Sequence, residues 1–167
     1  MRLFDVISII GCAGLVQGTR MSLELQGYTI NDGLGKAYKI MYHGRVWNEA
    51  RLVCIDEGGK LAVPKTEKEF KFLQQLVRTM KYAEISGTQF AILSWLGINN
   101  IANHTIWVNV DGENINDSEF HKWAGNNGQA YSGPLEPHCA AIDGMNFGLR
   151  DFWCHRAQPF ICEKTLL

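Results

Sequence analysis

The chain has 167 residues and a formal net charge of −1 at neutral pH, with 46% apolar and 20% charged residues. So even a balance supplies no global basic field, which excludes nucleic acid or anionic lipid as partners attracted by overall charge. The length suits one domain, and no repeat, low-complexity stretch or compositional tail divides it.

Met1 and Arg2 lead into an apolar run from Val6 to Val16 that ends at Val16-Gln17-Gly18. That charged, apolar, small-residue order reads residues 1–18 as a secretory signal peptide, cut after Gly18. A span would need about 20 apolar residues, so a membrane anchor is the poorer reading. The expectation is a secreted, extracellular protein. Cys12 leaves with the signal, and Cys54, Cys139, Cys154 and Cys162 remain. An even count in a secreted chain is a disulfide framework, with three pairings open, and no CxxC or zinc-ribbon spacing competes with it.

Ala37 to Tyr42 reads as a first strand. Val46 to Glu57 is helical, with Trp47, Ala50 and Cys54 on one face and Gly58-Gly59 as the stop. Leu61-Ala62-Val63 is a short apolar piece closed by Pro64. Thr66 and Glu69 form a capping-box pattern before Phe70, Leu73, Val77 and Met80, which mark a second amphipathic helix. Ala91 to Ile98 suits a buried central strand, and Thr105 to Val108 a strand before the Asp111-Gly112 turn. Glu113 to Gly133 is a long polar loop, of the kind that is functional or mobile in compact domains. Cys139–Ile142 and Phe160–Cys162 read as closing strands. Two helices followed by short strands define an α+β class.

The order of motifs resembles the C-type lectin-like domain, in the form of secreted insect members. Its carriers are Trp47-Asn48-Glu49-Ala50-Arg51 leading to Cys54, Gly59-Lys60-Leu61-Ala62, and Trp95-Leu96-Gly97-Ile98. Trp107 with Asp111-Gly112, Phe120-His121-Lys122-Trp123 and Cys139-Ala140-Ala141-Ile142 follow, then Asp151 three residues before Cys154, and Phe160-Ile161-Cys162-Glu163. The resemblance covers residues 36–164. It implies two helices packed on short antiparallel sheets, a long ligand-binding loop region, and the pairs Cys54–Cys162 and Cys139–Cys154. It also implies calcium bridging protein oxygens to sugar hydroxyls, through a Glu/Gln-Pro-Asn/Asp triplet, a later Glu and an Asn-Asp pair.

Calcium takes six to eight oxygen ligands. Asp151 stands in its place, but its expected Asn neighbour is Arg150, which has no side-chain oxygen and a charge opposed to a cation. The triplet falls at Gly125 to Gln129, where Asn126-Asn127-Gly128 has neither proline nor carboxylate. Glu136-Pro137-His138 resembles a triplet but abuts Cys139. The metal inventory is therefore Asn126, Glu136 and Asp151, with Asn127 nearby. The site is expected to be degenerate, calcium is a doubtful cofactor, and Arg150 is expected to pair with Asp151 or an anionic ligand. The ligand-binding set is Asn126, Asn127, Gln129, Glu136, His138, Arg150 and Asp151, with Tyr131 as a stacking residue and Trp153 either on the disulfide or facing ligand. Trp47, Trp95, Trp107 and Trp123 are assigned to the core.

Asn103-His104-Thr105 and Asn116-Asp117-Ser118 are sequons, so glycosylation is expected at Asn103 and Asn116. No GxSxG elbow, HExxH helix, glycine-rich phosphate loop or EF-hand pattern occurs, so no enzyme is expected. His121, His138 and His155 with Glu136 suggest zinc only weakly, lacking ligand spacing. The sequence thus predicts a carbohydrate-binding lectin, directed at microbial surface sugars in innate immunity. The alternative is a calcium-independent module of the same fold that binds protein or lipid. No coiled-coil stretch is present to build the homo-oligomer that would raise avidity.

Overall fold

The computed structural model describes residues 16–129 and 136–167. The apolar run read as a signal peptide lies outside those residues except for Val16, and Tyr131 lies outside them; 16–25 are helical. Among the described residues, no helix is long and apolar enough to cross a membrane.

Eight strands form one sheet: β1 (Thr29–Asn31), β2 (Lys36–Arg45), β3 (Lys60–Leu61), β4 (Ser94–Asn99), β5 (Val108–Asn109), β6 (His138–Ile142), β7 (Arg150–Trp153) and β8 (Gln158–Thr165). Their order is β1-β2-β8-β4-β6-β7, with β3 on β8 and β5 on β4. Helix α1 (Trp47–Asp56) and helix α2 (Glu67–Arg78) pack on this frame. The spacing that predicts α1 buries Trp47, Ala50 and Cys54. In α2, Thr66 accepts the Glu69 N–H, which satisfies one donor of the first turn. The Glu69 carboxylate does not close the box on Thr66; it accepts the Lys65 N–H at 3.0 Å and the Tyr38 hydroxyl at 2.6 Å.

β2 and β8 pair antiparallel with Tyr38 opposite Glu163 and Lys39 opposite Cys162. β8 then meets β4 in a single parallel pair, Trp95 with Phe160. Two strands differ from expectation. The central strand begins at Ser94, because Ala91 and Ile92 run along the surface. The next strand is only Val108–Asn109, because Thr105 sends both its N–H and its hydroxyl to Asn103 Oδ1, a turn and not a ladder.

Tyr38, Phe70, Leu73, Leu96, Ile98, Trp107, Ile142 and Leu149 share the main core, and Trp47, Trp95 and Phe160 pack with the cystines in a second cluster. Trp123 is half-buried against the main core, its ring centroid 4.5 Å from that of Trp107. Disulfides join Cys54 to Cys162, 108 residues apart, and Cys139 to Cys154, 15 apart. Glu163 is buried, and its carboxylate takes Lys36 at 3.1 Å and the Val63 N–H at 3.1 Å. The apolar core and these two staples leave the β6–β7 hairpin and the 122–129 loop at one end, where the site lies.

Candidate functional site: the β6–β7 face and the loop it carries

β6 and β7 pair antiparallel with His138 opposite Trp153, Ala140 opposite Asp151 and Ala141 opposite Arg150. Strand alternation puts Asp151 and Trp153 on the same face as His138, and Arg150 on the other. Asp151 Oδ2 accepts the Gly128 N–H at 3.2 Å and lies 3.2 Å from His138 Nδ1. Trp153 is 37% exposed and stands edge-on to the His138 ring, with centroids 5.8 Å apart. Its indole N–H donates to Glu136 Oε2 at 3.2 Å. One indole face, two carboxylates and an imidazole are thereby gathered on one strip of surface.

The 122–129 loop is seated against the start of β7. The Leu149 N–H donates to the Lys122 carbonyl and the Ala124 N–H to the Leu149 carbonyl, at 2.8 and 2.9 Å. Two glycines permit this approach. Gly128 has φ 78° and lies flat on the Trp123 indole, where a Cβ would sit 2.2 Å from the ring. Gly148 has φ 128°, and a Cβ there would be 2.6 Å from the Ala124 nitrogen. Trp107 fixes the loop from below by donating its indole N–H to the Gly128 carbonyl at 3.0 Å. Asn127 is spent on structure: its Oδ1 accepts the Asp151 N–H at 3.0 Å and Arg150 Nε at 3.4 Å, while its amide donates to the Ala124 carbonyl.

Arg150 does not pair with Asp151. Its guanidinium donates to Asp143 Oδ2 at 2.6 Å, because β7 alternation turns it towards the β6–β7 turn. Asp143 also accepts the Met145 and Asn146 N–H groups and the Asn146 side-chain amide. Burial alone would raise the Asp143 carboxyl; the Asn146 and Met145 hydrogen bonds and the Arg150 charge outweigh it and hold the group below the usual aspartate range. Asp143 is the residue that sequence reasoning missed. Its signal was Asp143-Gly144-Met145-Asn146, a turn pattern in which Asp accepts the N–H groups that follow it.

The structure therefore brings Asn127, Glu136, His138, Arg150 and Asp151 to one end of the molecule. Asn126 and Gln129 are exposed on the same loop. His121 and His155 are exposed, with His121 Nδ1 2.9 Å from the Ser118 carbonyl oxygen. Among the described residues, no three His, Cys, Asp or Glu side chains are grouped to hold an ion. A calcium ion does not fit the described set. Asn127 Oδ1 and Asp151 Oδ2 already accept protein N–H donors, and the Arg150 guanidinium stands beside the former. Asn103 and Asn116 are both exposed, Asn116 on a short 3-10 turn, Ile115–Asp117.

A mixed sheet on which α1 and α2 pack, with two cystines and a loop-borne polar face, defines a lectin-like fold. The chain belongs to the C-type lectin domain family, whose description, Lectin C-type domain, matches residues 43–164. It is 29% identical over 140 residues to the hemolymph lipopolysaccharide-binding protein of Periplaneta americana, covering 84% of this chain and 53% of that protein. It is 27% identical over 129 residues to tetranectin of Homo sapiens, covering 77% and 59%. Thus it spans little more than half the length of either relative. In fold it resembles the mouse scavenger receptor C-type lectin carbohydrate-recognition domain, with TM-score 0.66, 18% identity and coverage of 84% and 95%. It also resembles a calcium-independent type II antifreeze protein, with TM-score 0.63, 16% identity and coverage of 84% and 93%.

Proposed function

We propose that this protein is a secreted, extracellular lectin that binds carbohydrate without calcium through the Trp153 face. The reading rests on one observation: an exposed indole held by Glu136 and flanked by His138 and Asp151. A sugar has apolar C–H faces that pack on an aromatic ring, and hydroxyls that both donate and accept. Trp153 supplies the ring. Glu136 and Asp151 accept hydroxyl protons, His138 exchanges either role, and Asn126 and Gln129 add amides from the loop. Asn127 and Arg150 act as positioning residues, fixing the loop and the turn on either side of that face. The chemistry is binding, with no bond made or broken.

The name of the Periplaneta relative supports a microbial glycoconjugate as the natural ligand and innate immunity as the setting. Glycan-array binding of the mature protein, with and without chelator, tests the reading. The expected result is a glycan signal that a chelator leaves intact and Trp153→Ala abolishes. No glycan signal in either condition would shift the assignment to a protein or lipid ligand; loss of signal on chelation would restore calcium.

A further inference from the structure

On the other side of the β6–β7 hairpin lies a groove of about 420 Å³ that the Trp153 face does not use. Its walls are the end of α2, the 91–93 segment and the 143–146 turn, and it is lined by Arg78, Tyr82, Ile92, Met145 and Arg150 among others. The turn is rigidly held. Gln74 donates its amide to the Asp143 and Asn146 carbonyls at 3.1 and 2.7 Å, and Arg78 Nε donates to the Gly144 carbonyl at 2.8 Å. Yet the turn presents Met145 at 89% exposure, beside Ile92 at 66% and Tyr82 at 60%. A frame this well bonded around side chains this poorly buried is the mark of a contact surface, not of a loose loop.

The charges in the groove name the contact. Arg150 is neutralised by Asp143 at 2.6 Å. Arg78 has no carboxylate within ion-pair distance among the described residues; its other bond is to the Gln74 side-chain Oε1 at 3.1 Å. Two guanidinium groups against one carboxylate leave the groove positive in a chain whose total is −1. An anionic oxygen cluster satisfies a guanidinium through paired N–H donors, and the three apolar side chains ask for hydrocarbon next to that anion.

We infer that this groove docks the phosphate headgroup of an anionic lipid at a membrane or micelle surface, with Met145, Ile92 and Tyr82 entering the acyl boundary. The overall charge of the chain argues against attraction at long range, so the contact is short-range and local. Its strength comes from buried apolar area plus a single headgroup pairing. The site is separate from the Trp153 face and stands or falls without it. A protein that reads a sugar on one face and the lipid carrying it on another gains effective concentration for the second event.

Co-sedimentation of the intact mature protein with vesicles tests this, comparing phosphatidylglycerol–phosphatidylcholine mixtures with pure phosphatidylcholine at about 0.15 M salt. The expected result is at least about tenfold tighter binding to the anionic vesicles, lost in the Ile92→Asp/Met145→Asp double variant. Both positions face solvent, and an unchanged thermal midpoint together with an unchanged circular-dichroism spectrum shows that the variant is folded. Arg78→Gln removes the preference for anionic vesicles and Arg78→Lys keeps most of it. Equal binding of wild type and double variant, or no binding of the folded wild type to either vesicle, overturns the proposal. So does equal binding of soluble glycerol phosphate by wild type and double variant with no vesicle binding, which identifies a soluble-anion site.

Discussion

Arg150 gives its charge to Asp143, seven positions earlier, and only a long Nε contact to Asn127, while Asp151 beside it turns the other way to His138. Adjacent charges of opposite sign on one strand are thus kept apart by strand alternation. Each stabilises a different wall at this end of the molecule.

Replacing Asp143 with Asn leaves Arg150 without its anion and puts an NH2 donor where Oδ2 accepts Arg150 and the Asn146 side-chain amide, while the remaining amide oxygen can still accept the Met145 and Asn146 N–H groups. The pair is only partly exposed, and the expected loss is about 1–3 kcal/mol, read as a lower thermal midpoint. A carboxyl held below its ordinary pKa adds stability above that ordinary value, and the gain disappears as pH falls through the folded-state value. The wild-type midpoint should therefore fall on acidification below about pH 4, and Asp143→Asn should lose that part of the acid sensitivity.

Calcium should leave the protein unaffected. Anything that binds only the folded state raises its stability by mass action, so millimolar calcium against chelator is a direct test by thermal unfolding and titration calorimetry. No shift in midpoint and no stoichiometric heat are expected. A saturable heat with a raised midpoint would falsify the calcium-independent reading.

The two cystines should differ in worth. On the chain-entropy account, the Cys54–Cys162 loop of 108 residues stabilises by about 4–5 kcal/mol and the Cys139–Cys154 loop of 15 by about 3. Double replacement by Ser at each pair, followed by denaturant unfolding, should rank them in that order. Loss of the shorter pair should weaken glycan binding more than its stability cost suggests, because it ties together both strands that carry His138 and Trp153.

Lys36 is shared by two buried carboxylates, Glu69 at 2.7 Å and Glu163 at 3.1 Å, with Lys60 a second cation 3.6 Å from Glu163. Lys36→Met should cost about 3–5 kcal/mol, the range for stranding a buried charge. Burial pushes the Glu163 carboxyl up, with Lys36 opposing it. A carboxyl raised in the folded state contributes stability at low pH that is lost as pH rises through the folded value. The variant should accordingly recover part of its deficit relative to wild type between pH 7 and about pH 5, measured by urea midpoints.

Gly128→Ala should damage the site more than the fold. The added methyl meets the Trp123 ring at 2.2 Å, and φ 78° is unfavourable for any L side chain. The loop must lift, which breaks the Gly128 N–H bond to Asp151. Loss of glycan signal with a modest drop in midpoint is the expected pattern; an unchanged array profile would show that the loop takes no part.

Helical and strand periodicity made the frame legible. Trp47, Ala50 and Cys54 declared α1, and Phe70, Leu73 and Val77 declared α2, because local spacing decides which face is buried. The strand expected from Thr105 was hidden by a local competitor, the Asn103 side chain, which takes the donors a ladder would use. Ala91 and Ile92 read as core because hydropathy cannot tell a buried strand from an apolar surface segment that borders a groove. At the site, the residues were legible but their partners were not. Which carboxylate Arg150 chooses depends on the turn joining β6 to β7, a tertiary fact with only the Asp143–Asn146 turn pattern as its trace.

The parallel pair of Trp95 with Phe160 is where β4 meets β8, so their direct ladder is one register pair wide, and Ala62 is the further bridge, its N–H donating to the Ile161 carbonyl and its carbonyl accepting the Gly97 N–H. Each half has its own cystine. Surface changes in the hairpin and loop half therefore have almost no strand register to disturb in the other. On the proposed function, such an architecture would serve as a cassette: positions such as Gln129, Glu136 and Trp153 could be varied while β2, β8 and the helices go on folding as before, which would make the domain a scaffold for selecting new binders.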